Sequence, residues 1–320
     1  MKHRILVAGG AGYIGSHVQK QLLEDGFEVA VFDDLSSGDR KNILPGAAFI
    51  EGNILDKAAL NAAMRQEIDG VVHLAAKKAV GESMVKPELY AENNISGSIN
   101  ILNAMAENGV KHIVFSSSAA VYGMPEYVPI DEDHRIAPIN YYGYTKVAIE
   151  ENMRWYARLG KLNYAALRYF NAVGYAADKS ITGKERNPQN LMPIIMEAAT
   201  GKKFSIFGND YDTPDGTCIR DYVHVSDLAR AHTLALKKLM CGGESFAVNL
   251  GTGKGTSVKE IVDAAEKVIG RKLNYDYAPR RAGDPAVLTA KADRAGEILG
   301  WVPEYTDIEE IIRTVWNLEI

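Results

Sequence analysis

Arg4-Ile5-Leu6-Val7-Ala8-Gly9-Gly10-Ala11-Gly12-Tyr13-Ile14-Gly15 is the stretch that decides how this chain folds. Arg4 to Gly9 has strand length and is apolar from Ile5 onward, and it feeds straight into glycines at 9, 10, 12 and 15. Ile14, Val18 and Leu22 then recur at helical spacing until Asp25-Gly26 stops them, and Phe27-Glu28-Val29-Ala30-Val31-Phe32-Asp33 reads as the next strand. Strand, glycine turn, helix and strand make a βαβ unit. In such a unit Gly9 shapes the turn, Gly12 lets backbone approach a pyrophosphate, and Gly15 lets helix and strand pack closely. The helix that opens at Tyr13 and Ile14 offers unpaired N–H groups to the phosphates. Asp33 ends the second strand at the distance expected for an acid that binds ribose hydroxyls. A carboxylate there disfavours a 2′-phosphate, so NAD is expected rather than NADP.

A second signal lies in Tyr142-Gly143-Tyr144-Thr145-Lys146, with the serine run Ser116-Ser117-Ser118 closing an apolar stretch upstream. On a helix, positions i and i+4 share a face, so the Lys146 ammonium can sit below the Tyr142 phenol. A phenol loses its proton near pH 10, and a neighbouring cation together with a hydroxyl donor such as Ser118 is expected to bring it toward neutrality, where a general base works best. Alone, this spacing also describes a solvated lysine beside a half-buried tyrosine. The dinucleotide fingerprint at the start of the chain is what gives it chemical meaning.

Composition bounds the rest. The 320 residues are enough for a full core in two lobes, and 47% hydrophobic with 24% charged residues is ordinary for a globular protein. A net charge of -5 without a basic cluster argues against a nucleic-acid surface. Cys218 and Cys241 are too few for a disulfide scaffold and show no metal spacing, so no metal is expected and a reducing, cytoplasmic setting fits. No apolar run approaches membrane length, and a core strand begins almost at once, which leaves no room for a signal peptide.

Further strands are expected to end at His73-Leu74-Ala75-Ala76, at Ser116-Ser117-Ser118 and at Leu167-Arg168-Tyr169-Phe170-Asn171, with helices between them that stop at Gly26, Gly109 and Gly160. Alternating strands and helices imply an α/β fold with a Rossmann-type, doubly wound parallel sheet. Residues 1–172 are expected to form the NAD-binding domain, and 173–320 a smaller, mixed α/β lobe for substrate. Ala176 to Asn190 is irregular, and a segment from about 217 to 251, which includes Phe246-Ala247-Val248-Asn249-Leu250-Gly251, is expected to return to the first sheet.

These residues together resemble the nucleotide-sugar 4-epimerases of the extended short-chain dehydrogenase/reductase family. The similarity rests on the glycine run, the Ser118, Tyr142 and Lys146 constellation, Lys78-Ala79-Val80-Gly81-Glu82-Ser83, Asn93-Asn94, Asn190-Leu191-Met192-Pro193, Arg220-Asp221-Tyr222, and Arg280-Arg281 with Gly283-Asp284. It implies an NAD-dependent isomerase that interconverts UDP-glucose and UDP-galactose through a 4-keto sugar. Tyr142 would take the 4-hydroxyl proton, Ser118 would hydrogen-bond the reacting oxygen, and Lys146 would hold the ribose and depress the phenol pKa. The cofactor would be contacted by Asp33, Asn53, Ile54, Leu74, Ala75, Ala76, Lys78, Asn93, Ser116 and Tyr169 beside the glycine turn. Asn171, Asn190, Leu191, Phe207, Arg220, Arg281 and Asp284 would hold the nucleotide sugar, with the two arginines on its diphosphate. Leu288 would face the sugar's 2-substituent. Asn53 stands where an aspartate often contacts adenine, and Ala120 where a threonine often follows the serines. The resemblance also implies a homodimer. Epimerases acting on UDP-N-acetylglucosamine share these motifs, whereas a 4,6-dehydratase would need an acid and base pair where Ala119-Ala120 stands. A non-catalytic dinucleotide sensor would usually lack the tyrosine or the lysine.

Overall fold

The structure, a computed structural model, describes residues 2–184, 190–281 and 283–319; part of the irregular 176–190 stretch therefore lies outside the described residues. Strands β1 (Arg4–Ala8), β2 (Glu28–Asp33), β3 (Ala47–Glu51), β4 (Gly70–His73), β5 (His112–Ser118) and β6 (Asn163–Tyr169) follow in chain order. After them come β7 (Asn171–Val173), β8 (Phe204–Phe207), β9 (Ile219–His224), β10 (Phe246–Leu250), β11 (Gly255–Ser257), β12 (Tyr275–Ala278) and β13 (Val287–Leu288). Seven of these form a parallel sheet in the order β10-β6-β5-β4-β1-β2-β3. The order reverses between β1 and β4, which opens a crevice beyond their carboxyl ends.

Helices α1 (Tyr13–Glu24), α2 (Lys57–Met64), α3 (Val80–Val85), α4 (Pro87–Tyr90), α5 (Gly97–Asn108) and α6 (Tyr141–Arg158) belong to the first half of the chain. Ile5, Leu6, Val7 and Ala8 are fully buried, so β1 reads as a continuous apolar run because both of its faces are covered. One face packs with α2, α5 and α6 through Leu60, Ile101 and Ile149. The other packs through Val18 and Leu22 of α1 and Leu228 and Leu236 of α8 (Val225–Met240). The helices stop where glycine takes the left-handed conformation: Gly109 caps α5 at φ 75°, while Gly26 and Gly160 follow α1 and α6 at 84° and 66°.

At the sheet edge β10 pairs with β6, whereas β9, earlier in the 217–251 segment, belongs to a separate sheet. A second body forms around α7 (Leu191–Ala199), α9 (Val258–Ile269) and α11 (Ile308–Trp316), whose core contains Ile195, Ile261 and Ile312. Beside it lie the pair β12-β8 and a four-stranded sheet in which β9 pairs with β11, β13 and β7, and α10 (Asp293–Leu299) leads toward α11. α9 begins with a full capping box, Ser257 and Glu260 each bonding the other's backbone N–H. No helix among the described residues is long and apolar enough to cross a membrane. Cys218 is buried and Cys241 exposed, both free.

Candidate active site

The glycine turn is shaped for close approach. Gly9 sits at φ +82°, and a Cβ added there would lie 2.5 Å from Ala75 N; one on Gly15 would lie 2.3 Å from Gly9 O. In front of Gly12 only Gly9 O comes near, at 3.3 Å, and α1 starts from Gly12 without a side-chain cap. Its first-turn amides, beginning at Tyr13 and Ile14, thus face the crevice with a positive dipole end. At the end of β2, Asp33 is held as an acceptor by Ala11 N–H at 2.9 Å and Leu35 N–H at 2.8 Å, and burial pushes its carboxyl up from the usual range.

Other predicted cofactor residues surround this crevice. Asn53 donates to Asp34 at 2.7 Å and accepts from Leu55 N–H at 2.8 Å, with buried Ile54 beside it. Leu74, Ala75 and Ala76 follow β4, half-buried, and Lys78 is exposed beyond them. Asn93 lies on a π-helical turn, Ala91–Ser96, and donates to Asn94 at 3.0 Å. The buried Asn94 in turn bonds both Lys77 N–H (2.8 Å) and Lys77 O (2.9 Å), tying this turn to the strand-β4 loop.

Tyr142 and Lys146 come from the first turns of α6. Asn140 caps that helix by accepting from Gly143 N–H at 2.8 Å, and Tyr142 N–H donates to Ser83 Oγ at 3.1 Å. A Cβ on Gly143 would lie 2.4 Å from Ala120 O, so glycine lets the helix start press against the end of β5. Lys146 is buried, donates to Ser116 O at 2.7 Å, and its Nζ lies 4.7 Å from the Phe115 ring centroid and 5.6 Å from that of Tyr142. The lysine is thus beneath the phenol as its spacing predicts.

Electrostatics correct one expectation. Burial pushes the Tyr142 phenol up to about 12, and its hydrogen bond with Ser118 opposes this only in part. Lys146 does not bring the phenol down, because its own burial lowers it to about 7, with Glu150 as the opposing influence. A desolvated lysine that carries less than a full charge cannot stabilise a phenolate strongly. Ser118 also accepts from Ala120 N–H at 3.2 Å. Ser116 and Tyr169 share a hydrogen bond between their hydroxyls, and burial raises Tyr169 as well.

Across the crevice, Arg220 on β9 is buried and pairs with Asp284 at 2.5 Å, rather than with its neighbour Asp221. Asp221 instead accepts from Thr252 and Gly253 amides at 2.8 and 3.0 Å, anchoring the next loop. Arg281 is exposed and stacks over Phe207 at 4.0 Å from the ring centroid. Asn171 hydrogen-bonds the Tyr222 phenol. Asn190 starts α7, followed by half-buried Leu191, but makes no side-chain cap; it lines a narrow cleft with Tyr13, Gly174 and Val315. Leu288 is the register partner of Arg220 and packs beside Ala119, Tyr122 and Phe170.

Sequence reasoning missed Ser83, Asn94 and Glu150. Ser83 acts from the short helix α3 and Asn94 from a π turn, neither of which has a local signature, whereas Glu150 was visible as the i+8 continuation of the Tyr142 and Lys146 face. His73, buried at the end of β4, bonds Ser98 at 2.7 Å through Nε2, while Nδ1 is without a partner and burial lowers it to about 3. No cluster of metal-binding side chains occurs among the described residues.

A profile of the NAD dependent epimerase/dehydratase family matches residues 5–251. The chain is 49% identical over 317 residues to UDP-glucose 4-epimerase of Lacticaseibacillus casei, covering 98% of this chain and 96% of that protein. It superposes with a TM-score of 0.95 on the crystal structure of UDP-glucose 4-epimerase from Brucella ovis in complex with NAD, at 44% identity and 98% and 97% coverage. The corresponding Bifidobacterium longum enzyme, in complex with NAD+ and UDP, gives 0.92 at 36% identity and 99% and 98% coverage.

Proposed function

We infer the function from one premise: the chain belongs to the NAD dependent epimerase/dehydratase family, and it catalyses the NAD-dependent interconversion of UDP-glucose and UDP-galactose. The crevice suits the dinucleotide: a Gly12 turn with no side chain in front of it, an uncapped helix start and the Asp33 carboxylate at the end of β2 match a pyrophosphate and a ribose. NAD, when bound, accepts and returns the hydride of sugar C4.

The chain's own residues handle the proton and the orientation. Tyr142, in its phenolate form, receives the proton of the 4-hydroxyl and later gives it back, and Ser118, its hydrogen-bond partner, holds the reacting oxygen in line. Lys146 orients the ribose. Ser116, Tyr169, Asn93, Lys78, Asn53, Ile54 and the Leu74-Ala75-Ala76 loop line the cofactor side. Arg220 and Arg281 take the diphosphate, Phe207 lies beside the nucleotide, and Asn171, Asn190, Leu191 and Asp284 fix the remaining groups. Residues 1–172, with about 217–251, would form the cofactor domain, and the other residues the nucleotide-sugar domain. A homodimer in the cytoplasm goes with this reading.

The observation that carries it is the convergence of Ser118, Tyr142 and Lys146 at the carboxyl end of β5, two strands from β1, which leads into the glycine turn. The test is direct: purified protein supplied with NAD and UDP-galactose should form UDP-glucose without net NADH. Absence of interconversion with NAD bound would remove the proposal.

A further inference from the structure

Behind the strand ends that carry Ser118 and Tyr169 runs a buried polar row to which the chemistry above gives no task. Ser117 on β5, Arg168 on β6 and Asn249 on β10 are register partners across three strands. Residues of such a row share one sheet face, and Glu150 of α6 descends onto it. The Glu150 carboxylate accepts from the Ser117 hydroxyl, from Arg168 Nε at 3.1 Å and from Arg168 Nη2 at 2.6 Å. Arg168 Nη1 donates to the Tyr122 hydroxyl at 3.1 Å, and Tyr122 donates to Asn249 at 2.7 Å. Asn249 closes the row by donating to Ile130 O at 3.0 Å and, from its N–H, to Glu132 at 2.6 Å.

Glu150 and Arg168 are each 5% exposed. An ion pair this deep stabilises a fold little more than an apolar pair of the same volume, because desolvation offsets its attraction. What it supplies is fixed geometry. Ser117 immediately precedes Ser118, Arg168 precedes Tyr169, and Glu150 continues the helix face of Tyr142 and Lys146 at i+8.

We propose that Glu150 and Arg168 are positioning residues: the clamped Glu150 carboxylate locks α6 onto β5 and β6 so that Tyr142 and Lys146 meet Ser118. This rests on the catalytic reading given above. The other titratable groups facing this region are His73 from β4, Tyr142 from α6, and Tyr122 and Tyr169 beside Arg168, with Glu132 at the far end of the row. His73, lowered to about 3, and Tyr122 and Tyr142, both raised to about 12, are neutral near pH 7, as is Tyr169, raised by burial. Glu150 is the group that opposes the loss of charge on Lys146.

The test compares kcat, KM and melting temperature against pH for wild type, Glu150→Gln, the double variant Glu150→Leu/Arg168→Met, and Tyr142→Phe. The double variant carries no lone buried charge and should fold. Its kcat should fall by about ten- to hundredfold through misplacement, with KM for UDP-glucose little changed. Glu150→Gln should lose kcat similarly and melt lower. A double variant with wild-type kcat overturns the proposal, as does failure of both Glu150 variants to fold, since the pair would then be a folding requirement. If Tyr142→Phe retains turnover, the catalytic reading fails and the proposal with it; if only the double variant is silent, the positioning role alone fails.

Discussion

Tyr142 and Lys146 approach the crevice from a helix face pressed onto the sheet, Lys146 being 2% exposed, whereas Arg281 and Phe207 approach it from loop and strand ends, Phe207 being 37% exposed. The first side is held by packing and by hydrogen bonds to backbone, such as Lys146 to Ser116 O. The second is held by ion pairs and stacking: Arg220 on Asp284, Arg281 over Phe207, and Arg280 over Tyr211 while bonded to Asp210. Buried groups are preorganised and shift strongly in pKa, while exposed pairs are screened and adjust. The chemical step should therefore respond to changes in burial, and nucleotide binding to salt and charge.

The largest expected effect is on the buried side. Tyr142→Phe deletes only the proton-accepting oxygen and should cost about 10²–10⁴ in kcat with bound NAD and melting temperature unchanged, checked by turnover and by absorbance of the purified holoenzyme. Near wild-type turnover would break the comparison at its first term.

On the opposite side, Arg220→Met should act through KM. A lost charge-assisted contact with the diphosphate costs roughly 1.5–3 kcal/mol, about ten- to a hundredfold in KM for UDP-glucose, with kcat changed far less. Wild-type KM should also rise between 50 and 500 mM salt, through the exposed arginines, while kcat stays level. A kcat-dominated loss in Arg220→Met would mean that the two sides are not separable.

The pH dependence of stability sharpens the contrast. Lys146 has its pKa lowered to about 7 in the folded protein, against about 10.5 unfolded. Between these values the unfolded chain binds more protons, so stability rises with pH, by up to about 1.4 kcal/mol per unit. This contribution is complete above the unfolded value and is lost as pH falls through about 7. Denaturant melts from pH 7 to 9.5 should show wild type gaining on Lys146→Met, and parallel curves would contradict the burial argument.

The smallest effect concerns Leu288, which sits beside Arg220 in register. Leu288→Tyr should lower, and Leu288→Ser raise, the ratio of UDP-N-acetylglucosamine to UDP-glucose turnover by about tenfold each, since size alone discriminates weakly in an apolar pocket. An unchanged ratio with tyrosine would remove Leu288 from the pocket wall.

The same contrast explains what the sequence disclosed. The Gly9 to Gly15 turn, Asp33 and the Tyr142 face of α6 depend on neighbours within a few residues or on strand ends, and periodicity exposes them. Arg220 with Asp284, 64 residues apart, is fixed by β9 and β13 pairing, which no local pattern shows. The pKa of Tyr142 was misjudged for a related reason: spacing gave the lysine's place but not its desolvation. Asn94 escaped because a π turn carries no mark in a helical sequence.

The central claim is that one cofactor removes and returns the same hydride within a closed site. UDP-glucose carrying deuterium at C4, converted by the purified protein, tests it most directly. The account predicts UDP-galactose that keeps the label at C4, with no NADH beyond the enzyme concentration. Product that has lost its deuterium to solvent, or NADH accumulating in step with substrate, would contradict it.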